Sequence, residues 1–233
     1  MLMRRVLPSL VTVTGMGFGF FSILVAQNGA IDAALLLIFL AVLCDITDGK
    51  LARRLGATSA FGAQLDSFAD AISFGVAPAV VLYQASLHVF GWRGGCAAFV
   101  YAALAVFRLV RFNLDSRERR LDVFRGFATP TAALYLLSYL ALRHEMPPAI
   151  GGIYALGLGG LMISSVPSPA FKGEGVSVVY LVVALTNTLL LLLRPGWGAF
   201  LWWNVFSLFL LFRSYRAAMA ARPLGSSSRR PCG

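Results

Sequence analysis

Charged side chains are scarce in this sequence. Asp, Glu, Lys and Arg make up 13% of its 233 residues, against about a quarter in an ordinary soluble domain, so a water-soluble globular domain is excluded. Acid is the scarcer sign, with ten Asp and Glu against 20 Lys and Arg and a formal net charge of +10. Cysteine occurs at Cys44, Cys96 and Cys232 only, without metal-like spacing, which leaves no disulfide framework or zinc centre to argue from. The cysteines read as small packing residues plus a tail thiol. His88 and His144 fall near the ends of apolar segments and read as interfacial. Runs of about ten alternating residues are missing, which excludes an outer-membrane barrel. Arg4 and Arg5 precede an apolar run that no small-x-small cleavage pattern follows, so the stretch to Ala30 reads as a retained first span.

What the sequence has is apolar length. Hydrophobic residues are 58% of the chain and mean hydropathy is +0.77. A helix needs about 20 such residues to cross the hydrocarbon. Eight segments qualify loosely: about 8–26, 31–49, 64–86, 95–114, 128–144, 148–166, 176–193 and 197–213. The sixth is weakened by Pro147-Pro148 and its glycines. The expected fold is therefore all-α, a polytopic transmembrane helical bundle of about eight spans. An even count puts both termini on one side. Of the 20 Lys and Arg, only Arg93, Arg143 and Arg194 then fall on the other, so both termini are expected in the cytoplasm. Anionic membrane lipids suit that basic face, and nucleic acid is not needed to explain it. Residues 1–221 are expected to form a single transmembrane domain, with a charged loop at 115–127. Residues 222–233, "RPLGSSSRRPCG", read as a disordered basic cytoplasmic tail.

Against this background four of the ten acids crowd into 26 positions, Asp45, Asp48, Asp66 and Asp70. A carboxylate in a span costs a few kcal/mol, and four together repel, so a positive partner is required. Asp45 and Asp48 are spaced i, i+3 at the end of the second segment; Asp66 and Asp70 are i, i+4 at the start of the third. Each pair shares a helix face, and the short connection makes the two helices antiparallel neighbours. Oxygen-only ligands suit hard divalent cations, and two ions among four carboxylates would make a site for phosphate chemistry. Gly49 and Ala52 leave room on the face of Asp45, Arg53 can clamp a phosphate at the surface, and Gly62 would allow close helix approach. A divalent-cation transporter is the rival reading, disfavoured by the wholly apolar "LLLIFLAVL" at Leu35–Leu43.

The pattern Asp45-x2-Asp48-Gly49-x2-Ala52-Arg53-x8-Gly62-x3-Asp66-x3-Asp70 matches the signature of the CDP-alcohol phosphotransferases at every fixed position. "GAQLDSFADAISFGVAPA" (Gly62–Ala79), "FRLVRFN" (Phe107–Asn113), "FRGFATPTAA" (Phe124–Ala133) and "LMISSVPSPAFK" (Leu161–Lys172) resemble the bacterial phosphatidylserine synthase subfamily. The resemblance covers about residues 5–175. It implies a six-helix core plus two further spans, a homodimer, and an integral protein of the bacterial inner membrane with its site at the cytoplasmic face. It implies a transferase moving a phosphatidyl group from CDP-diacylglycerol to L-serine and releasing CMP, with glycerol 3-phosphate or inositol as the alternative acceptors. Two divalent cations, Mg²⁺ or Mn²⁺, would be held by Asp45, Asp48 and Asp66 and by Asp45, Asp66 and Asp70. Asp70 would be the general base, and Gly49, Ala52 and Arg53 would seat the CDP moiety. Arg108, Arg111 and Asn113 are the candidates for binding the acceptor or the lipid phosphate.

Overall fold

Gly56 and Ser59 set the geometry of the acidic stretch. The structure, a computed structural model, describes residues 2–118, 124–164, 167–168 and 176–220. Helix α1 (Leu2–Gln27) is followed by α2 (Ile31–Arg54). Helix α2 closes in a Schellman motif. Ala57 N–H donates to the Ala52 carbonyl at 2.9 Å and Gly56 N–H to the Arg53 carbonyl at 3.3 Å. Gly56 supplies the left-handed conformation this needs, at φ +60°. Three residues later Ser59 is the N-cap of α3 (Ala60–Asp70), its hydroxyl accepting from Gly62 N–H at 3.0 Å. The two carboxylate-bearing helices are thus joined by a hard stop and a hard start.

Helix α3 runs without a break through a π-helical turn, Ala71–Val76, into α4 (Ala77–Ala85). A 3₁₀ turn, Leu87–Phe90, leads to α5 (Trp92–Glu118). Then come α6 (Thr129–Ala141), α7 (Pro148–Ile163), α8 (Val176–Leu193) and α9 (Trp197–Ala220). Prolines at Pro130 and Pro148 sit in the first turns of α6 and α7, where a missing N–H costs nothing. The links before α6 and after α7 meet in a two-residue antiparallel ladder, β1 (Phe124–Arg125) with β2 (Pro167–Ser168).

Each of the eight expected segments falls on helix, which bears out the all-α reading. Among the described residues, three helical stretches are long and apolar enough to cross a membrane: Val6–Gln27, Ala60–Ala85 and Trp92–Leu114. Pro148–Ile163 and Val182–Leu193 are apolar but shorter. The fifth segment, expected over 128–144, ends as helix at Ala141, because Leu142 to Glu145 close into successive turns. The expected tail at 222–233 and most of the loop between α5 and α6 lie outside the described residues.

Helix α6 is the centre of the bundle, buried at every position from Ala132 to Ala141. Large apolar side chains also cover the outside. Phe20 and Phe21 of α1, Phe99 and Phe107 of α5, Ile153 of α7 and Trp202 of α9 are exposed. Apolar inside and apolar outside is the arrangement of an integral membrane protein, whose solvent is lipid.

Helix α1 packs against α2 and against the π turn through glycine. A Cβ on Gly15 would lie 2.9 Å from Cys44 Cβ, and one on Gly19 would lie 2.7 Å from Ser73 Cα. A Cβ on Gly17 would meet nothing within 4 Å. Gly19→Ala is therefore expected to destabilise the protein by about 1–3 kcal/mol through overpacking against backbone. Gly17→Ala should be neutral or mildly stabilising. Thermal unfolding of the two variants in detergent checks this, and equal midpoints would remove the close approach.

Candidate functional site

The i, i+3 and i, i+4 spacings put the acids on facing helix surfaces, as expected from the sequence. Carboxylate oxygens of Asp45, Asp48 and Asp66 all lie within 4.8 Å of one another. Asp48 is buried, and Asp45 and Asp66 are half-buried. Asp70 is outside that tight set of three, but it lines the same narrow cavity and lies in hydrogen-bonding reach of Asp45. Thr12, Gly15 and Met16 of α1, Ala41 of α2, Ala69 of α3, and Ser73 and Phe74 of the π turn complete the lining. An extra residue in a π turn shifts the register of the helix beyond it. Directly after Asp70 it turns Ser73 and Phe74 inward, and the Ser73 hydroxyl donates to the Gly15 carbonyl at 3.3 Å.

The charges do not balance. The cavity lining holds four carboxylates and, among the described residues, no Lys, Arg or His. Arg108 is the buried cation whose charge acts on Asp70 and Asp45. Its Nη1 donates to Thr129 Oγ1 at 3.4 Å, its guanidinium lies 5.1 Å from the Phe112 ring centre, and its Nε has no partner among the described residues. One guanidinium cannot neutralise four clustered carboxylates, one buried and three half-buried, and uncompensated charge withdrawn from water is expensive. An all-oxygen, anionic, converging donor set fits a hard divalent cation.

The remaining candidates separate by position. A Cβ on Gly49 would lie 3.5 Å from Arg53 Nη1, so the exposed Arg53 folds back over the glycine one turn earlier. Ala52 is half-buried beside them. Gly62 does not make the close helix contact expected of it. A Cβ there would meet only the Ser59 hydroxyl that caps its own helix, at 3.2 Å. Its place is the first turn of α3, and the close glycine approach is made by Gly15 and Gly19 instead. Arg111 donates from Nη1 to the Ile163 carbonyl at 2.5 Å and from Nη2 to the Ser164 carbonyl at 3.2 Å, at the C-terminus of α7. Asn113 Nδ2 donates to Ser67 Oγ at 2.9 Å, tying α5 to α3. Of these three, Arg108 is the one whose charge acts on Asp70 and Asp45, whereas the described bonds of Arg111 and Asn113 run to α7 and α3.

Sequence reasoning passed over α1 as a wall of the site. The signal was there in Gly15-x3-Gly19, a small-residue face that carries Thr12 one turn earlier.

The family model for CDP-alcohol phosphatidyltransferases matches residues 5–168, which takes in α1 to α7 and both strands and leaves out α8 and α9. The chain is 33% identical over 166 residues to a CDP-diacylglycerol–serine O-phosphatidyltransferase of Bacillus subtilis, covering 71% of this chain and 91% of that protein. It is 34% identical over 173 residues to an archaetidylserine synthase of Methanothermobacter thermautotrophicus, covering 73% and 72%. A CDP-diacylglycerol–serine O-phosphatidyltransferase of Mycobacterium leprae is 40% identical over 146 residues, and the match covers about half of that longer protein, 48%.

Proposed function

We propose that this chain, which belongs to the CDP-alcohol phosphatidyltransferase family, moves a phosphatidyl group from CDP-diacylglycerol to L-serine, giving phosphatidylserine and CMP. The observation that carries the reading is the convergence of Asp45, Asp48 and Asp66, with Asp70 in the same cavity and the charge of the buried Arg108 acting on Asp70 and Asp45. The serine-specific names of its bacterial relatives support the acceptor.

Two divalent cations, Mg²⁺ or Mn²⁺, held by Asp45, Asp48, Asp66 and Asp70, would supply charge neutralisation for the phosphates and a lowered pKa for the attacking hydroxyl. Gly49, Ala52 and Arg53 seat the CDP moiety, with Arg53 free to leave its glycine and clamp a phosphate. The serine oxygen forms a bond to the phosphorus that carries diacylglycerol. The bond from that phosphorus to CMP breaks, and CMP leaves with the electron pair. The hydroxyl proton passes to the Asp70 carboxylate. Arg108 binds the serine carboxylate or the lipid phosphate, whereas Arg111 and Asn113 hold the helices that present it. No basic residue stands among Ala71 to Val76, which favours an acceptor without a phosphate of its own.

The donor's acyl chains stay in the bilayer while nucleotide and serine arrive from water, so on this reading the site lies at the cytoplasmic face of the membrane, with both termini on that side; the family resemblance adds a bacterial inner membrane and a homodimer as the active form. The archaeal relative's name keeps an ether-linked donor open as a second reading.

CMP release from CDP-diacylglycerol tests the proposal. Release should require L-serine together with Mg²⁺ or Mn²⁺, and should vanish with EDTA and return on re-addition of the ion. Release that ignores serine and answers to inositol or glycerol 3-phosphate would replace the acceptor. Release that survives EDTA would remove the ions.

A further inference from the structure

Thr12 lies on α1, 33 residues before the first aspartate of the signature. It is 8% exposed, Asp48 is 5% exposed, and both line the same cavity. The Thr12 hydroxyl lies 2.5 Å from Asp48 Oδ2 and 3.1 Å from the Pro8 carbonyl. One hydroxyl has one proton to give. The shorter contact is to the carboxylate, and bonds to an ionised acceptor are the shorter and stronger kind, so Thr12 donates to Asp48.

From these contacts we propose that Thr12 is a positioning residue, fixing the rotation of the Asp48 carboxylate so that Oδ1 is presented to a divalent cation. This rests on the reading of the aspartates as a cation site. The packing around Thr12 makes it a rigid donor. Gly15, one turn on, lies against Cys44, the residue before Asp45. Its carbonyl accepts from Ser73, and Gly19 lies against the backbone of the same serine. Helix α1 is thereby locked to both helices that carry the acids, and it brings its hydroxyl to one of the two oxygens of Asp48. The hydroxyl of an outer residue that orients a ligand typically changes metal affinity by about 10- to 100-fold when removed.

The test is Mn²⁺ binding to the purified full-length protein in detergent, without substrate, read from the electron paramagnetic resonance of free Mn²⁺. Thr12→Val keeps the shape and removes the donor, and is expected to weaken Mn²⁺ by about 10- to 100-fold. Thr12→Ser keeps the donor and should bind close to the parent value. Serine-dependent CMP release by Thr12→Val should recover at raised Mn²⁺, which a purely structural defect would not do. If the valine variant does not fold, Thr12→Ala is read in its place. Mn²⁺ affinity equal to the parent's in the folded valine or alanine variant overturns the inference while leaving the cation site intact. Equal binding by the parent and Asp48→Asn overturns the cation reading itself, and this inference with it.

Discussion

Asp70→Asn is expected to lower serine-dependent CMP release by about 10²- to 10⁴-fold, the usual contribution of a positioned general base. The substitution is nearly isosteric, so the end of α3 and the adjoining π turn should be undisturbed. Asparagine can still reach Asp45, but it cannot take the proton of an attacking hydroxyl. Asp45, Asp48 and Asp66 form the tight oxygen cluster without it, so a share of Mn²⁺ binding should survive in this variant. Loss of turnover with retained ion binding would separate proton transfer from ion capture. Full turnover in Asp70→Asn would take the proton away from this residue.

The second large effect concerns two arginines three positions apart on α5. Arg108→Ala is expected to lower kcat/KM for serine by about 10- to 100-fold, the value of a hydrogen-bonded charged group. Arg111→Ala should instead lower the thermal unfolding midpoint and change kcat/KM little, because Arg111 is engaged with the carbonyls of Ile163 and Ser164. Carbonyls at a helix C-terminus carry partial negative charge that a guanidinium satisfies. Steady-state rates at varied serine, with unfolding midpoints for both variants, decide the matter. A raised serine KM in Arg111→Ala with an unchanged one in Arg108→Ala would invert the assignment.

The sequence made the acidic site legible because its information is local. Helical periodicity alone places Asp45 with Asp48 and Asp66 with Asp70, and a short connection forces their helices together. The devices that make the connection work, Gly56 in its left-handed conformation and Ser59 as a cap, carry recognisable sequence signals. The π turn after Asp70 carries none, since its residues, "AISFGV", would continue an ordinary helix equally well. The roles of Arg108 and Arg111 were not separable either. Both stand in the C-terminal half of one helix, and only the position of α7 shows which carbonyls claim Arg111. Gly62 was misread for a related reason: a glycine in a helical signature can serve a neighbouring helix or its own cap, and spacing does not distinguish them. The glycines that do serve a neighbour, Gly15 and Gly19, looked like ordinary residues of a first span.

Helix α6 draws its stability from both halves of the chain. Thirteen residues rise about 20 Å, against a hydrocarbon layer of about 30 Å. Released sideways into lipid by itself, such a helix would leave its ends stranded below the headgroups, and the hydroxyls of Ser138 and Tyr139 would face acyl chains. It is stable where it is because other helices, not lipid, surround it. Its neighbours are α2, α4, α5 and the π turn on the N-terminal side of the chain and α7, α8 and α9 on the C-terminal side, so α6 is fully enclosed only when helices from both halves of the polypeptide are in place.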